Sequence, residues 1–156
     1  KLDSNLKIDV SAIAKGYGVD EIILLLQGME DIHGAMVEIG GEVRVFGDRH
    51  DVSEWTVGIQ SPLRNRGGLA ARVHLQDKSL ASSGDYVHFF KHEGRRFSHI
   101  INPEIGVPVE TDVVATAVID ASCMVADAWA TAFMVSDVQE SLGADSKLFT
   151  YSSAAN

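Results

Sequence analysis

The chain has 156 residues, 46% of them hydrophobic and 22% charged, the balance of a globular domain large enough to bury a core. Its formal net charge of -9, with no basic run, argues against nucleic acid as a partner and against charge-driven binding to anionic lipid. No apolar stretch reaches the ~20 residues of a membrane-spanning helix, and the single cysteine, Cys123, excludes an internal disulfide.

In chain order, residues 6–10 read as a short strand or an extended entry. Over 12–29 the apolar residues Ile13, Tyr17, Ile22, Ile23, Leu25, Leu26 and Met29 recur at helical spacing, with Ser11 as N-cap and Gly28 near the end. Residues 35–39 and 42–46 predict two strands joined by Gly40-Gly41, a dipeptide that permits a tight hairpin. A strand over 55–59 is closed by Ser61-Pro62, and the polar stretch 63–68 reads as a loop. Further strands follow over 72–75 and 80–83, and two more over 86–91 and 96–101 flank a turn at His92-Glu93-Gly94. Residues 113–119 are strongly β-prone, an apolar helix covers 122–135, a third helix starts near Val138, and 151–156 read as a frayed tail. A strand-rich centre with a helix near each end predicts an α+β layer fold built mostly on antiparallel sheet. The regular strand–helix alternation of a doubly wound sheet is absent from the pattern.

Within the apolar helix, Asp127 and Thr131 stand at i and i+4 and so share a face. A carboxylate and a hydroxyl facing one spot suit a hard cation such as Mg2+; the alternative is that Asp127 faces solvent or a neighbouring Lys or Arg. On a strand, His99 would share a face with Phe97 and Ile101, either as a structural residue or as a proton donor and acceptor near neutral pH. Lys15, among small residues at the start of the first helix, either reaches an anion or faces solvent. Gly40-Gly41 is a hairpin turn or a close approach to a planar ligand, and the stretch 82–85, with Ser83 and Asp85, is a polar turn or a ligand loop. His88 and His92 are spaced i,i+4 but lack the glutamate of a zinc helix, and His33, His50 and His74 form no cluster. Cys123, among apolar helical neighbours, reads as a small buried hydrophobe.

Six segments in this order resemble the ApbE family, the FAD:protein FMN transferases: DVSAIAKGYGVD from Asp9, VEIGGEVRVFG from Val37, WTVGIQSP from Trp55, ASSGDY from Ala81, FSHIINPEIGVPV from Phe97 and VADAWATA from Val125. The resemblance implies a T-fold-like layer architecture and a Mg2+-dependent enzyme that cleaves the pyrophosphate of FAD. Such an enzyme moves FMN onto a threonine hydroxyl of an acceptor flavoprotein and releases AMP. By motif, Asp127 and Thr131 match the metal ligands, with a backbone carbonyl near Ala12 as a third. His99 matches the catalytic histidine, as a general base or a positioning group, and Asp127 is a second catalytic candidate that assists the acceptor hydroxyl. Lys15, Ala12, Ser83 and Asp85 match nucleotide contacts, and Gly40 and Gly41 match the segment lining the nucleotide site.

This chain has Ser11-Ala12 where many members have Gly-Gly, and its tail after Ser141 departs from the family pattern. Typical members are about twice as long. The resemblance therefore implies a single ApbE-like domain or partial domain over 1–156, with a secretion or lipid-anchor signal and part of the isoalloxazine pocket lying N-terminal to it. It also implies an extracytoplasmic or periplasmic location, although the residues from Lys1 onward read as no signal peptide. Two alternatives stand beside the transferase. With water as the nucleophile the site is an FAD pyrophosphatase giving FMN and AMP. A non-catalytic flavin-nucleotide-binding fragment would instead expose a normally covered face and self-associate through it.

Overall fold

A computed structural model describes residues 5–49, 54–62, 68–85, 89–136 and 142–152. The elements in chain order are α1 (Ala14–Gln27), β1 (Gly34–Ile39), β2 (Glu42–Gly47), β3 (Trp55–Gln60), β4 (Leu69–Leu75), β5 (Ser79–Gly84), β6 (Phe89–His92), β7 (Arg95–Ser98), β8 (Ile101–Asn102), β9 (Val107–Pro108), β10 (Val113–Asp120), α2 (Cys123–Val135) and β11 (Lys147–Ser152). All described strand pairings are antiparallel. The main sheet runs β1-β2-β5-β10-β11, and β3-β4, β6-β7 and β8-β9 form separate two-stranded ribbons. The α+β expectation holds.

Period-two alternation divides the sheet into two faces. Val43, Val45, Leu80, Ala117 and Ile119 pack with Ile59, Val73 and Leu75 of the β3-β4 hairpin. The opposite face carries Ala81 and Val118, which pack under Ala126, Ala130 and Phe133 of α2. Helices therefore lie on one side of the sheet and the hairpin on the other. Two alanines in the α2 contact stripe let that helix approach closely, and Thr116 on the same sheet face donates its hydroxyl to Ala130 O at 2.6 Å. The Gly40-Gly41 turn has positive φ at both residues (60° and 107°), as a two-residue hairpin loop between Ile39 and Glu42 requires.

Several local expectations are corrected. Of the two readings of residues 6–10 the strand is not formed: the segment is exposed, and no neighbouring strand supplies the ladder that extended backbone needs. Ile13, not Ser11, occupies the N-cap position of α1 and makes no side-chain cap; the Ser11 N–H instead closes a turn on Asp9 Oδ1 at 2.8 Å. His99 lies between β7 and β8 rather than within a strand. Tyr151 and Ser152 belong to β11, which closes the sheet edge against β10. Cys123 is buried, as its setting predicts. Residues 63–67 of the expected loop, 86–88 of the expected strand, His50, His88, the helix start near Val138, and 153–156 of the tail lie outside the described residues.

Candidate active site

The two helices cap each other. Ser122 has extended backbone, and its hydroxyl accepts the Val125 N–H at 3.3 Å, an ordinary N-cap for α2. The same hydroxyl donates to Asp20 Oδ2 at 2.7 Å. Asp20, reaching over from α1, also accepts the N–H groups of Cys123 at 2.9 Å and Met124 at 3.0 Å. A carboxylate there satisfies donors that have no intrahelical partner and faces the positive end of the helix dipole. Arg44 of β2 pairs with the same carboxylate from the sheet side. Burial pushes the Asp20 carboxyl up, but the hydrogen bonds from Met124, Cys123, Ser122 and Arg44 outweigh it and hold the group below the usual carboxylate range.

Asp127 returns the arrangement. It is 2% exposed, and its Oδ2 accepts the N–H of Gly16, in the first turn of α1, at 3.0 Å. The cap that α1 lacks in its own sequence is therefore a side chain of α2. Contact this close depends on Gly16, where an added Cβ would fall 2.6 Å from Cys123 C and 2.7 Å from Met124 Cα. Burial pushes the Asp127 carboxyl up, and the Gly16 N–H and the Lys15 charge act against that rise. One turn along α2, Thr131 Oγ1 lies 2.9 Å from Ser83 Oγ on the helix-facing side of β5.

Ala12, Lys15, Ser83, His99, Asp127 and Thr131 line one cavity of about 630 Å3, whose apolar wall includes Ile101 and Val135. Six expected residues from four separate segments thus converge. The alternative of a solvent-facing Asp127 is ruled out by its burial, whereas His99 is exposed at the cavity wall. Gly40 lies behind this wall: a Cβ there would sit 3.5 Å from the Lys15 Cδ, so the turn packs on the lysine stem. Gly41 instead lines a smaller cavity of about 250 Å3 on the hairpin side of the sheet, which shares Ser83 with the first. Asp85 is not a lining residue of either cavity and pairs with Arg96 at 3.1 Å.

Among the described residues no three His, Cys, Asp or Glu side chains converge as a metal cluster. A cation in this cavity would draw on the Asp127 carboxylate, the Thr131 hydroxyl and backbone carbonyl oxygen, an all-oxygen set that fits a hard ion such as Mg2+ and not a thiolate- or imidazole-seeking one. Burial raises the Asp127 carboxyl, and a bound cation would offset the cost of keeping that group ionised out of water.

Glu42 is the residue that the sequence did not single out. It is 0% exposed at the start of β2, and its Oε2 lies 2.7 Å from Lys15 Nζ. Burial pushes its carboxyl up, with Lys15 opposing and the Asp127 charge adding to the rise. The available signal was alternation: Val43 and Val45 go to one face, so Glu42 and Arg44 must go to the other, under a helix. Gly16 and Asp20 also lay unremarked within a matched segment. A glycine inside a helix costs about 1 kcal/mol relative to alanine and so flags a packing need.

The ApbE family model matches residues 1–147. The "FAD:protein FMN transferase" of Vibrio cholerae is 42% identical over 130 residues, covering 83% of this chain and 39% of that protein. The crystal structure of the flavinyl transferase ApbE of Pseudomonas stutzeri, apo form, superposes with a TM-score of 0.71 at 38% identity, over 83% of this chain and 40% of that one. The structure of the ApbE protein of Thermotoga maritima gives a TM-score of 0.77 at 30% identity, over 88% of this chain and 44% of its own. The chain thus spans about two fifths of the length of these relatives. Matched over residues 1–147 in sequence and over 88% of its length in structure, the chain belongs to the ApbE family.

Proposed function

We propose that this chain carries the metal- and pyrophosphate-binding part of a flavin transferase that takes FMN from FAD and attaches it to a threonine hydroxyl of an acceptor flavoprotein. The observation that supports this most is the convergence of Ala12, Lys15, Ser83, His99, Asp127 and Thr131 on a single cavity in a member of the ApbE family. Asp127, Thr131 and the Ala12 carbonyl would hold a Mg2+ ion, which when bound neutralises and polarises the pyrophosphate. Lys15 adds a second positive charge at the wall. His99, exposed at the cavity, takes the proton of the attacking hydroxyl. The threonine oxygen forms a bond to the FMN phosphorus, the bond from that phosphorus to the bridging oxygen breaks, and AMP leaves with the electron pair.

The test is incubation with FAD, Mg2+ and a threonine-bearing acceptor, read by acceptor mass and by AMP release. An acceptor heavier by FMN, with equimolar AMP, is expected from the wild type, and neither product is expected from Asp127→Ala. AMP release unchanged in Asp127→Ala would remove Asp127 from the site. AMP and free FMN with an unmodified acceptor would make the protein a pyrophosphatase instead.

A further inference from the structure

Glu42 has an unusual address. Its side chain is 1% exposed, beneath α1 on the helix-facing side of the sheet, and Oε1 has no hydrogen-bond partner. Its Oε2 meets Lys15 Nζ at 2.7 Å, close enough for an ion pair although off the angle of a directed hydrogen bond. Lys15 is its only ion-pair partner among the described residues. That lysine is 44% exposed and lines the 630 Å3 cavity, whereas Glu42 lies behind the wall. The Gly40-Gly41 turn packs on the lysine stem beside the same carboxylate: a Cβ at Gly40 would lie 3.5 Å from Lys15 Cδ and 3.8 Å from Glu42 Oε2. The ammonium is thus paired with a buried charge, and its stem packs on a glycine turn, while Lys15 itself lines the cavity.

Stability does not account for this arrangement. A buried carboxylate with one bare oxygen costs desolvation that a single ion pair seldom recovers, and an uncharged residue of the same shape is commonly as stable or more so. Such costs concentrate where a site needs a charge held in place.

We propose that Glu42 is a positioning residue, whose buried carboxylate fixes the Lys15 ammonium at the cavity wall for a pyrophosphate-bearing ligand. The inference rests on the flavin-nucleotide reading above and deepens it. A lysine free in solvent samples many rotamers, and these must be given up on binding; a lysine whose ammonium is already paired loses less. Glu42 touches no ligand atom in this account and acts through Lys15.

The test is calorimetric binding of ADP, inorganic pyrophosphate and adenosine, each with Mg2+, alongside thermal unfolding. The wild type is expected to bind ADP and pyrophosphate. Glu42→Gln keeps shape and removes charge; it should weaken both at least about tenfold, leave adenosine unchanged, and leave Tm equal or higher. Lys15→Met should weaken ADP to the same extent but lower Tm by more than about 5 °C, because it strands the buried carboxylate. The double variant should regain the Tm and lose no further ADP affinity, the non-additivity expected of a coupled pair.

ADP binding by Glu42→Gln within twofold of wild type would overturn the inference and leave the site reading intact. Equal losses for ADP and adenosine with a fallen Tm would make Glu42 a structural residue and overturn it also. If Glu42→Gln does not fold, Lys15→Met decides, since ADP affinity unchanged there removes the role that Glu42 would serve. A wild type that binds none of the three ligands refutes the site reading and this inference together.

Discussion

Replacing Gly16 by alanine is the sharpest test of how the site is built. In an exposed helix this change stabilises, because alanine gains about 1 kcal/mol in helix propensity. At Gly16 the new methyl would sit 2.6 Å from Cys123 C and 2.7 Å from Met124 Cα, and nearer still to the Cys123 carbonyl oxygen. Ordinary carbon contacts lie near 3.5–4.0 Å, so α2 must retreat by about 1 Å. The obstacles are all backbone of the first turn of α2, pinned by Asp20, so no side chain can swing aside. Overpacking of this kind costs about 1–3 kcal/mol, more where backbone must move. We expect a net loss near 2 kcal/mol, seen as a fall in Tm of about 4–8 °C for a chain of this size.

The functional effect should be larger. The retreat lengthens the 3.0 Å bond between Gly16 N–H and Asp127 and moves Asp127 relative to Ala12 and Lys15. A displacement of about 1 Å in a positioned group costs on the order of 100-fold in rate. Circular dichroism melts and FAD-dependent AMP release read the two effects. Gly18→Ala is the internal control, since its Cβ meets only Ile39 Cδ1 at 3.5 Å and should leave Tm equal or higher. A Gly16→Ala protein with raised Tm and full activity would refute the argument that glycine sets the helix approach.

Three further outcomes follow from the same geometry. Asp20→Asn turns one of the two accepting oxygens into a donor facing an N–H and strands Arg44, and should cost about 3 kcal/mol at neutral pH by chemical denaturation. The Asp20 carboxyl is held below its unfolded value, so its contribution is present above the unfolded carboxylate range and lost as pH falls through the folded one; the gap between variant and wild type should therefore shrink in acid, and a gap constant with pH would contradict the role. Ser83→Ala removes the hydroxyl 2.9 Å from Thr131 Oγ1 and should weaken Mg2+ binding by about 10-fold, measured by Mn2+ electron paramagnetic resonance competition, whereas unchanged affinity would leave Ser83 as lining only. His99→Gln should slow AMP release by about 100-fold or more while ADP binding stays within a few-fold, and parallel losses in both would make His99 a binding residue.

Sheet and helix identities were legible locally. Period-two runs became β1, β2, β3, β5 and β10, and the apolar run around Asp127 became α2 with its Ser122 cap. Residues 6–10 left a strand and an extended entry open, and no strand formed because β-prone residues without a pairing partner stay irregular. The spacing of Asp127 and Thr131 put two oxygens on one helix face without saying which way that face turned. Packing turned it toward α1 and β5, which is why Asp127 meets Gly16 and Thr131 meets Ser83. Asp85 illustrates the converse: its segment runs beside the site, yet its side chain pairs with Arg96 instead.

The amino-acid sequence by itself determined the periodicities, the α+β class, the family, and six of the residues that line the cavity, because each of these is carried by local spacing or motif. Only the tertiary structure decided the reciprocal caps, in which Asp20 of α1 serves α2 and Asp127 of α2 serves α1 across 104 and 111 positions. The same holds for Glu42 and its hold on Lys15. Such contacts arise when helices and sheet close on one another, and no spacing along the chain encodes which charge will be sealed beneath which neighbour.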